Sequence, residues 1–359
     1  MQETGTWPGA APESGNAFSE LDLALVDALQ ADPRAPWTRI GPALGVDATT
    51  AARRWERLTS LGLAWVTAYA APGTAPVAYV EVECRAGTVR QLAEALAELP
   101  WVFSIDHVAG DFDLFLSVCA DDLPGLGQLV QEIGTRPEVR VTRARLALRT
   151  YLEGSAWQVR ALAPGRRAGL TGPVQTDPGA QPFGMPSYNR TDLALLMALG
   201  EDGRASYTEL AARTGISEST VRRHLGQRLR QRGLLLRCDL AQRQAGWPVI
   251  VSYRAAVPHA ALDRVGSMLA RLPQTRLCAS VTGSCNLLLA LWLRTTEEIA
   301  AVEAMLAERA PEAQLRERTV TLHTVKRMGR RLDRHGRALR HIPMITPPAI
   351  TGETRTDLA

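Results

Sequence analysis

The chain says nearly the same thing twice. Leu21-Asp22-Leu23-Ala24-Leu25 returns as Thr191-Asp192-Leu193-Ala194-Leu195, Asp32-Pro33-Arg34 as Asp202-Gly203-Arg204, Gly45-Val46 as Gly215-Ile216, and Gly62-Leu63 as Gly233-Leu234. Residues 20–150 and 190–325 therefore share one pattern at a spacing of about 170 residues, and any fold must be built from a pair of like units. Between the copies, residues 161–186 hold prolines at 164, 173, 178, 182 and 186 and glycines at 165, 169, 172, 179 and 184. That composition resists both helix and strand ladder, so residues 153–188 are expected to be a linker. Residues 1–19 and about 342–359, rich in Pro, Gly, Ser and Thr, are expected to be disordered.

A length of 359 residues allows two to four modules at roughly 100–200 residues each. With 46% hydrophobic and 22% charged residues the chain is globular, which excludes wholesale disorder. The formal charge of +4 comes from arginine, Lys326 being the single lysine, and basicity that mild does not by itself imply nucleic acid. No apolar run approaches the roughly 18–20 residues of a membrane helix, and residues 1–19 lack a signal-peptide pattern, so a soluble, cytoplasmic protein with no membrane partner is expected. Cys84, Cys119, Cys238, Cys278 and Cys285 are odd in number and include no Cys-x-x-Cys pair. Reduced thiols are the expectation, with no metal site and no cofactor.

Each copy opens with three short helical patterns. In the second copy Leu195, Leu196 and Leu199 recur at helical spacing, Tyr207–Ala212 makes a second short helix stopping at Gly215, and Ser217 can cap a third with Val221, Leu225 and Leu229 inward. Three helices with a glycine turn before the last describe a helix-turn-helix, although a small packing unit without DNA has the same spacing. The outward face of the third helix carries Ser219, Thr220, Arg223 and Gln227, flanked by Arg222, Arg228, Arg230, Arg232 and Arg237. These residue types hydrogen-bond phosphates and base edges. In the first copy the outward face is Thr49, Thr50, Arg53 and Arg57, with Ala51, Trp55 and Leu58 inward. Its charge is weaker: five arginines face six acids over residues 20–69, against nine and six over residues 189–240.

The apolar period then drops to two. Val80, Val82 and Cys84 alternate with Glu81 and Glu83 as in a strand; a helix with Val89, Leu92, Leu96 and Leu99 follows. Next come strand-like 101–108, a Gly-Asp turn, strand 112–118, a helix with Leu126, Leu129 and Ile133, and strand 139–151. The second copy repeats this βαββαβ order through strands 249–257, 277–281, 287–293 and 315–325, with helices around 262–272 and 299–306. Such a unit makes a four-stranded antiparallel sheet with both helices on one face, leaving the other face for a partner. The second copy supplies one, so an internal pseudo-dimer is expected.

A helix-turn-helix with Leu-Asp near its start, followed by βαββαβ with a Gly-x-aromatic-Asp turn, resembles the leucine-responsive/asparagine regulator (Lrp/AsnC) family. The resemblance spans residues 20–330 and rests most specifically on Thr214-Gly215-Ile216-Ser217-Glu218-Ser219-Thr220-Val221-Arg222-Arg223 and on Gly110-Asp111-Phe112-Asp113. It implies an α+β chain: a winged or three-helix helix-turn-helix plus a ferredoxin-like βαββαβ regulatory domain, the pair repeated as in tandem double-length members. The heads are then expected at 20–70 and 189–240, and the regulatory domains at 76–152 and 247–328. The implied function is a sequence-specific transcriptional regulator of double-stranded DNA that senses an amino acid or related small-molecule effector and assembles as a homo-oligomer. DNA contacts are carried to Thr49, Thr50, Arg53, Arg57, Ser217, Ser219, Thr220, Arg222, Arg223, Gln227 and Arg228, and effector contacts to Gly110, Asp111, Phe112, Asp113, Gly283, Ser284 and Asn286. The second turn departs from the pattern, reading Gly283-Ser284-Cys285-Asn286 with neither the aromatic nor the acid.

Two other readings stay open. The sirohaem decarboxylases resemble the same family in fold, but their His-Asn-Tyr-x-Arg pattern meets Asp106-His107-Val108-Ala109-Gly110 here, with one histidine and no neighbouring arginine, so no catalytic residue is assigned. A ligand-binding assembly protein with vestigial heads is the other. The run from Lys326 to Arg340, with six arginines against Asp333, reads as a solvated extension or a phosphate-contacting arm, and residues 329–359 as a basic, then disordered, tail.

Overall fold

A computed structural model describes residues 17–70, 75–170, 189–231 and 233–345. The first head comprises α1 (Glu20–Ala31), α2 (Trp37–Leu44), α3 (Ala48–Ser60) and a wing strand β1 (Ala64–Ala70). The first regulatory unit runs β2 (Val77–Cys84), α4 (Val89–Ala97), β3 (Val102–Ala109), β4 (Leu114–Cys119), α5 (Leu123–Gly134) and β5 (Val139–Leu152), followed by a short α6 (Pro164–Ala168). The second head is α7 (Arg190–Glu201), α8 (Tyr207–Thr214), α9 (Glu218–Arg230) and β6 (Leu234–Leu240). The second regulatory unit is β7 (Val249–Ala256), α10 (His259–Leu269), β8 (Thr275–Val281), β9 (Leu287–Leu293), α11 (Glu298–Arg309) and β10 (Gln314–Arg327), and the chain continues into a hairpin of β11 (Arg330–Leu332) and β12 (Ala338–His341).

Local chemistry sets the head boundaries identically in both copies. Ser19 and Asp22 form a capping box at the start of α1, as Asn189 and Asp192 do at α7. The turn before each third helix closes on a left-handed glycine, Gly45 at φ 76° and Gly215 at φ 69°. Ser217 caps α9 and Asp47 caps α3. Pro42 lies inside α2, which still runs to Leu44.

The two βαββαβ sheets close on one another. Strand order β3-β4-β2-β5 continues through β5–β8 pairing into β8-β9-β7, and β10 pairs with both β7 and β3, so eight strands form a ring. Alternation along β2 decides the layers: Ala78, Val80 and Val82 pack outward on α4 and α5, while Tyr79 and Glu81 point inward. The partner for each open sheet face is thus the other repeat of the same chain.

The heads are equally joined. β1 and β6 form an antiparallel two-stranded ladder from Ala64↔Leu240 to Ala70↔Leu234. Each wing also enters the opposite core, with Cys238 and Leu240 packed in the first head and Ala68 in the second.

Two segments differ from the sequence expectation. Residues 153–170, expected as linker, dock between β9 and the first head: Trp157 is buried against Trp292 of β9 at 4.7 Å, the Leu162 amide donates to Asp27 Oδ2 of α1 at 2.8 Å, and Arg167 pairs with Asp27. Residues 171–188, and the expected disordered stretches 1–16 and 346–359, lie outside the described residues, whereas Phe18 is buried and Ser19 is a helix cap. The basic run is no solvated tail. Lys326 Nζ donates to the Leu99 carbonyl just beyond α4 at 2.8 Å, and Arg330 to the Gly200 and Glu201 carbonyls ending α7 at 3.0 and 2.9 Å. Arg331 and Arg340 pair with Glu94 on α4 and with its C-cap Glu98, and the Ala338 amide donates to the Gly62 carbonyl of the first head. Cations belong at helix C-termini, where carbonyls are left over, and that is where this run goes.

Candidate nucleic-acid interface and effector turns

The recognition helices present two kinds of arginine. Arg53 and Arg223 occupy equivalent positions on α3 and α9, both exposed and without an ion pair among the described residues. Thr49 and Ser219 are equivalent and exposed one turn earlier, and Gln227 is exposed one turn later on α9. Arg57 and Arg228 are also engaged within the fold. Arg57 donates to Asp22 Oδ2 at 2.7 Å and Arg228 Nε to Asp192 Oδ1 at 2.9 Å, bracing the buried aspartate of each capping box. Burial alone would raise the Asp22 and Asp192 carboxyls, but hydrogen bonds to the cap residues and these arginines hold them below the ordinary carboxylate range.

The remaining candidates are partly engaged. Arg222 is exposed, pairs with Glu218 at 3.0 Å and lies 4.4 Å over the Tyr207 ring. Thr50 donates to Asp47 at 2.7 Å through both its amide and its hydroxyl, and Ser217 holds the Thr220 hydroxyl at 2.9 Å. Arg54, unassigned in the sequence reading, reaches Asp22 Oδ1 at 3.2 Å and answers His224, 3.8 Å from Asp192, in the other copy.

The two helices are held in register by a reciprocal pair. Arg34 donates to the Gly203 and Ala205 carbonyls at 2.7 and 2.9 Å, while Arg204 donates to the Pro33 and Ala35 carbonyls at 2.6 and 3.0 Å. Each guanidinium covers an aromatic ring of the opposite head: Arg34 lies 5.4 Å from Tyr207 and Arg204 4.0 Å from Trp37. The reciprocal contacts and the β1–β6 ladder thus join the two similar heads about an approximate two-fold.

At the regulatory turns, Phe112 is buried and Asp113 latches the hairpin: its Oδ2 accepts the Cys84 amide at 2.7 Å. Asn286 does the same in the second copy, accepting the Val257 amide at 2.9 Å and also donating to the Val257 carbonyl at 2.8 Å. Gly283 takes φ 107°, and Asp111 and Ser284 are exposed. A Cβ on Gly110 would come within 2.6 Å of Thr319 Cγ2, so the first turn needs glycine where it meets β10. Arg254 on β7 ties that turn to the second repeat, lying 4.5 Å over Phe112 and paired with the inward carboxylate of Glu81. Arg145 meets the same carboxylate at 3.0 Å. His107 sits across the β3–β10 seam from His323, and burial lowers it below the ordinary imidazole value against the pull of Asp113.

The Lrp/AsnC ligand binding domain matches residues 77–157, and the AsnC-type helix-turn-helix domain matches twice, at 18–59 and 189–225. The HTH-type transcriptional regulator FL11 of Pyrococcus horikoshii is 27% identical over 140 residues, covering 38% of this chain and 93% of the relative. An uncharacterized HTH-type transcriptional regulator of Pyrococcus abyssi is 31% identical over 120 residues, covering 32% of this chain and 75% of its own. Among solved structures, the siroheme decarboxylase NirDL superposes with a TM-score of 0.58 over 86% of this chain and 93% of that one, at 13% identity, a likeness of fold. The chain belongs to the Lrp/AsnC family, as a tandem form carrying two helix-turn-helix heads and two ferredoxin-like domains.

Proposed function

We propose that this chain is a sequence-specific DNA-binding transcriptional regulator whose ferredoxin-like ring senses an amino acid or related small molecule and adjusts assembly and DNA binding. The observation that carries the reading is the pair Arg53 and Arg223: equivalent, exposed cations, without an ion pair among the described residues, on two recognition helices joined by the Arg34 and Arg204 exchange. Linked heads of this kind meet successive major-groove faces roughly 34 Å apart. Because the heads differ in sequence, the preferred site is two dissimilar half-sites rather than a strict palindrome. Selection of genomic fragments on the purified chain, with and without pooled amino acids, tests this. Recovery of no fragment class, or of perfect palindromes, would contradict it.

The decarboxylase fold of NirDL supplies the second reading. A single His107, lowered by burial and facing His323 rather than an arginine, is a poor acid catalyst for that chemistry. A porphyrin whose visible spectrum changes on incubation with the chain would favour the enzyme.

A further inference from the structure

Where the second head joins its regulatory unit, a shallow cleft open to solvent lies between the β6–β7 connection, the middle of β10 and the tip of the β11–β12 hairpin. Gln242, Arg243, Thr321, His323, Thr324 and Arg334 supply its polar lining. No carboxylate lines it. Arg243 and Arg334 are exposed and carry no ion pair among the described residues, unlike the arginines of the hairpin that pair with α4. Asp333, the nearest acid on the hairpin, is turned into its own loop, where Oδ1 accepts the His335 and Arg337 amides, each at 2.8 Å.

The cleft also holds an orphan acceptor. Gln242 is 94% buried, since 6% of its surface remains exposed, and its Oε1 has no hydrogen-bond partner among the described residues. A buried carbonyl oxygen is destabilising unless something donates to it. Gly336, at φ 80°, closes the far wall, where an added Cβ would come 3.7 Å from that oxygen. His323 keeps one ring nitrogen engaged, Nε2 lying 3.2 Å from the Asp333 carbonyl. A strand irregularity between Thr321 and His323 re-aims β10 at this point, as bulges beside binding sites do.

We propose that this cleft is a second ligand site, separate from the hairpin turns, for a small organic anion that also carries a hydrogen-bond donor: a hydroxy acid or an amino acid. Arg243 and Arg334 take the carboxylate from opposite walls, and the ligand's hydroxyl or ammonium donates to Gln242 Oε1. Arg243 belongs to the connection leaving the second head, and Arg334 to a hairpin whose Ala338 amide is bonded to Gly62 of the first head. A carboxylate shared by the two arginines therefore fastens the hairpin to both heads. The proposal is independent of whether the chain binds DNA.

Titration calorimetry on the full chain, with L-lactate, L-malate, L-serine, L-leucine, acetate and inorganic phosphate, tests it. A hydroxy or amino acid binds at one site per chain beyond any hairpin-turn binding, while acetate, lacking the donor, binds at least tenfold more weakly. Arg334→Ala and Arg243→Ala, both exposed and expected to leave the melting temperature unchanged, each weaken that binding at least tenfold, and Asp113→Asn leaves it intact. Absence of binding across the panel overturns the site. So does affinity unchanged in both arginine variants. Equal affinity for phosphate, acetate and the hydroxy acids overturns the role of Gln242.

Discussion

Arg34 and Arg204 exchange partners across the junction of the heads, each holding with its guanidinium fork two backbone carbonyls of the other copy. The arrangement needs both nitrogens of each fork, and burial already lowers Arg204 to about 10. Arg204→Ala removes charge-assisted bonds of about 1.5–3 kcal/mol each and leaves the Pro33 and Ala35 carbonyls unpaired. The expected outcome is a lower melting temperature together with looser discrimination between half-site spacings in gel-shift assays. Arg204→Lys should not restore the spacing preference, because an ammonium cannot span two carbonyls as the fork does.

The recognition-helix arginines separate by role. Arg223→Ala should weaken DNA binding by about 1–3 kcal/mol and relax specificity at one position, with little change in melting temperature. Arg228→Ala should do the opposite, lowering stability by leaving the buried Asp192 carboxylate without its main cation. Arg53→Ala should cost less binding than Arg223→Ala, since the second head has nine arginines against six acids and the first five against six. Fluorescence anisotropy over a salt series reads both terms, and a larger loss for Arg53→Ala would reverse the assigned asymmetry.

The repeat, the three-helix heads and the βαββαβ order were legible because each rests on local periodicity: Val221 and Leu225 are buried where their spacing places them, and so are Ala51, Trp55 and Leu58. What escaped was decided by distant partners. Arg57 and Arg228 look like DNA contacts on a helical wheel, yet the buried aspartate that claims them lies 35 or 36 residues away. Lys326 and Arg330 read as a polar extension because nothing near them in sequence reveals that helix C-termini await them across the fold. Trp157 and α6 looked like linker because proline and glycine dominate the residues that follow. Asp113 was visible as a turn residue, but its bond to the Cys84 amide, 29 positions away, was not.

That latch makes a clean test of the effector turn. If the Asp113 carboxylate holds an effector ammonium, Asp113→Asn should abolish the strongest amino-acid signal in calorimetry while leaving stability nearly unchanged. Asparagine keeps the acceptor, as Asn286 shows at the equivalent Val257 amide. Asp113→Ala should instead lose roughly 1–3 kcal/mol of stability, from the Cys84 amide left unpaired. Undiminished effector binding in Asp113→Asn would leave the residue as a latch alone.

The hairpin that straps the heads to the ring should weaken as the solution is acidified. His341 packs so closely on α7 that a Cβ added to Gly200 would lie 2.2 Å from its Cε1, and neither ring nitrogen has a hydrogen-bond partner among the described residues. Burial first, then the neighbouring cations Arg330 and Lys326, lower its imidazole from 6.5 to about 3, and no carboxylate offsets them. Unfolding frees the ring to take up a proton at any pH between those values. Its contribution is therefore fully present above pH 6.5 and is lost progressively as pH falls towards 3. Lys326, lowered by burial to about 7 from 10.5, has the same sign in a higher window: stability rises as pH goes from 7 to 10.5. The capping-box aspartates, held low in the folded state, add their own loss only below about their unfolded value of 3.8. Between pH 6.5 and 4.5 the fall in melting temperature should thus belong to the two imidazoles lowered by burial, His341 chiefly and His107 to a lesser extent, and His341→Leu should reduce it there while leaving the His107 share and the aspartate-dependent loss below pH 4 in place. A His341→Leu profile parallel to that of the parent chain throughout would assign the acid sensitivity to another group.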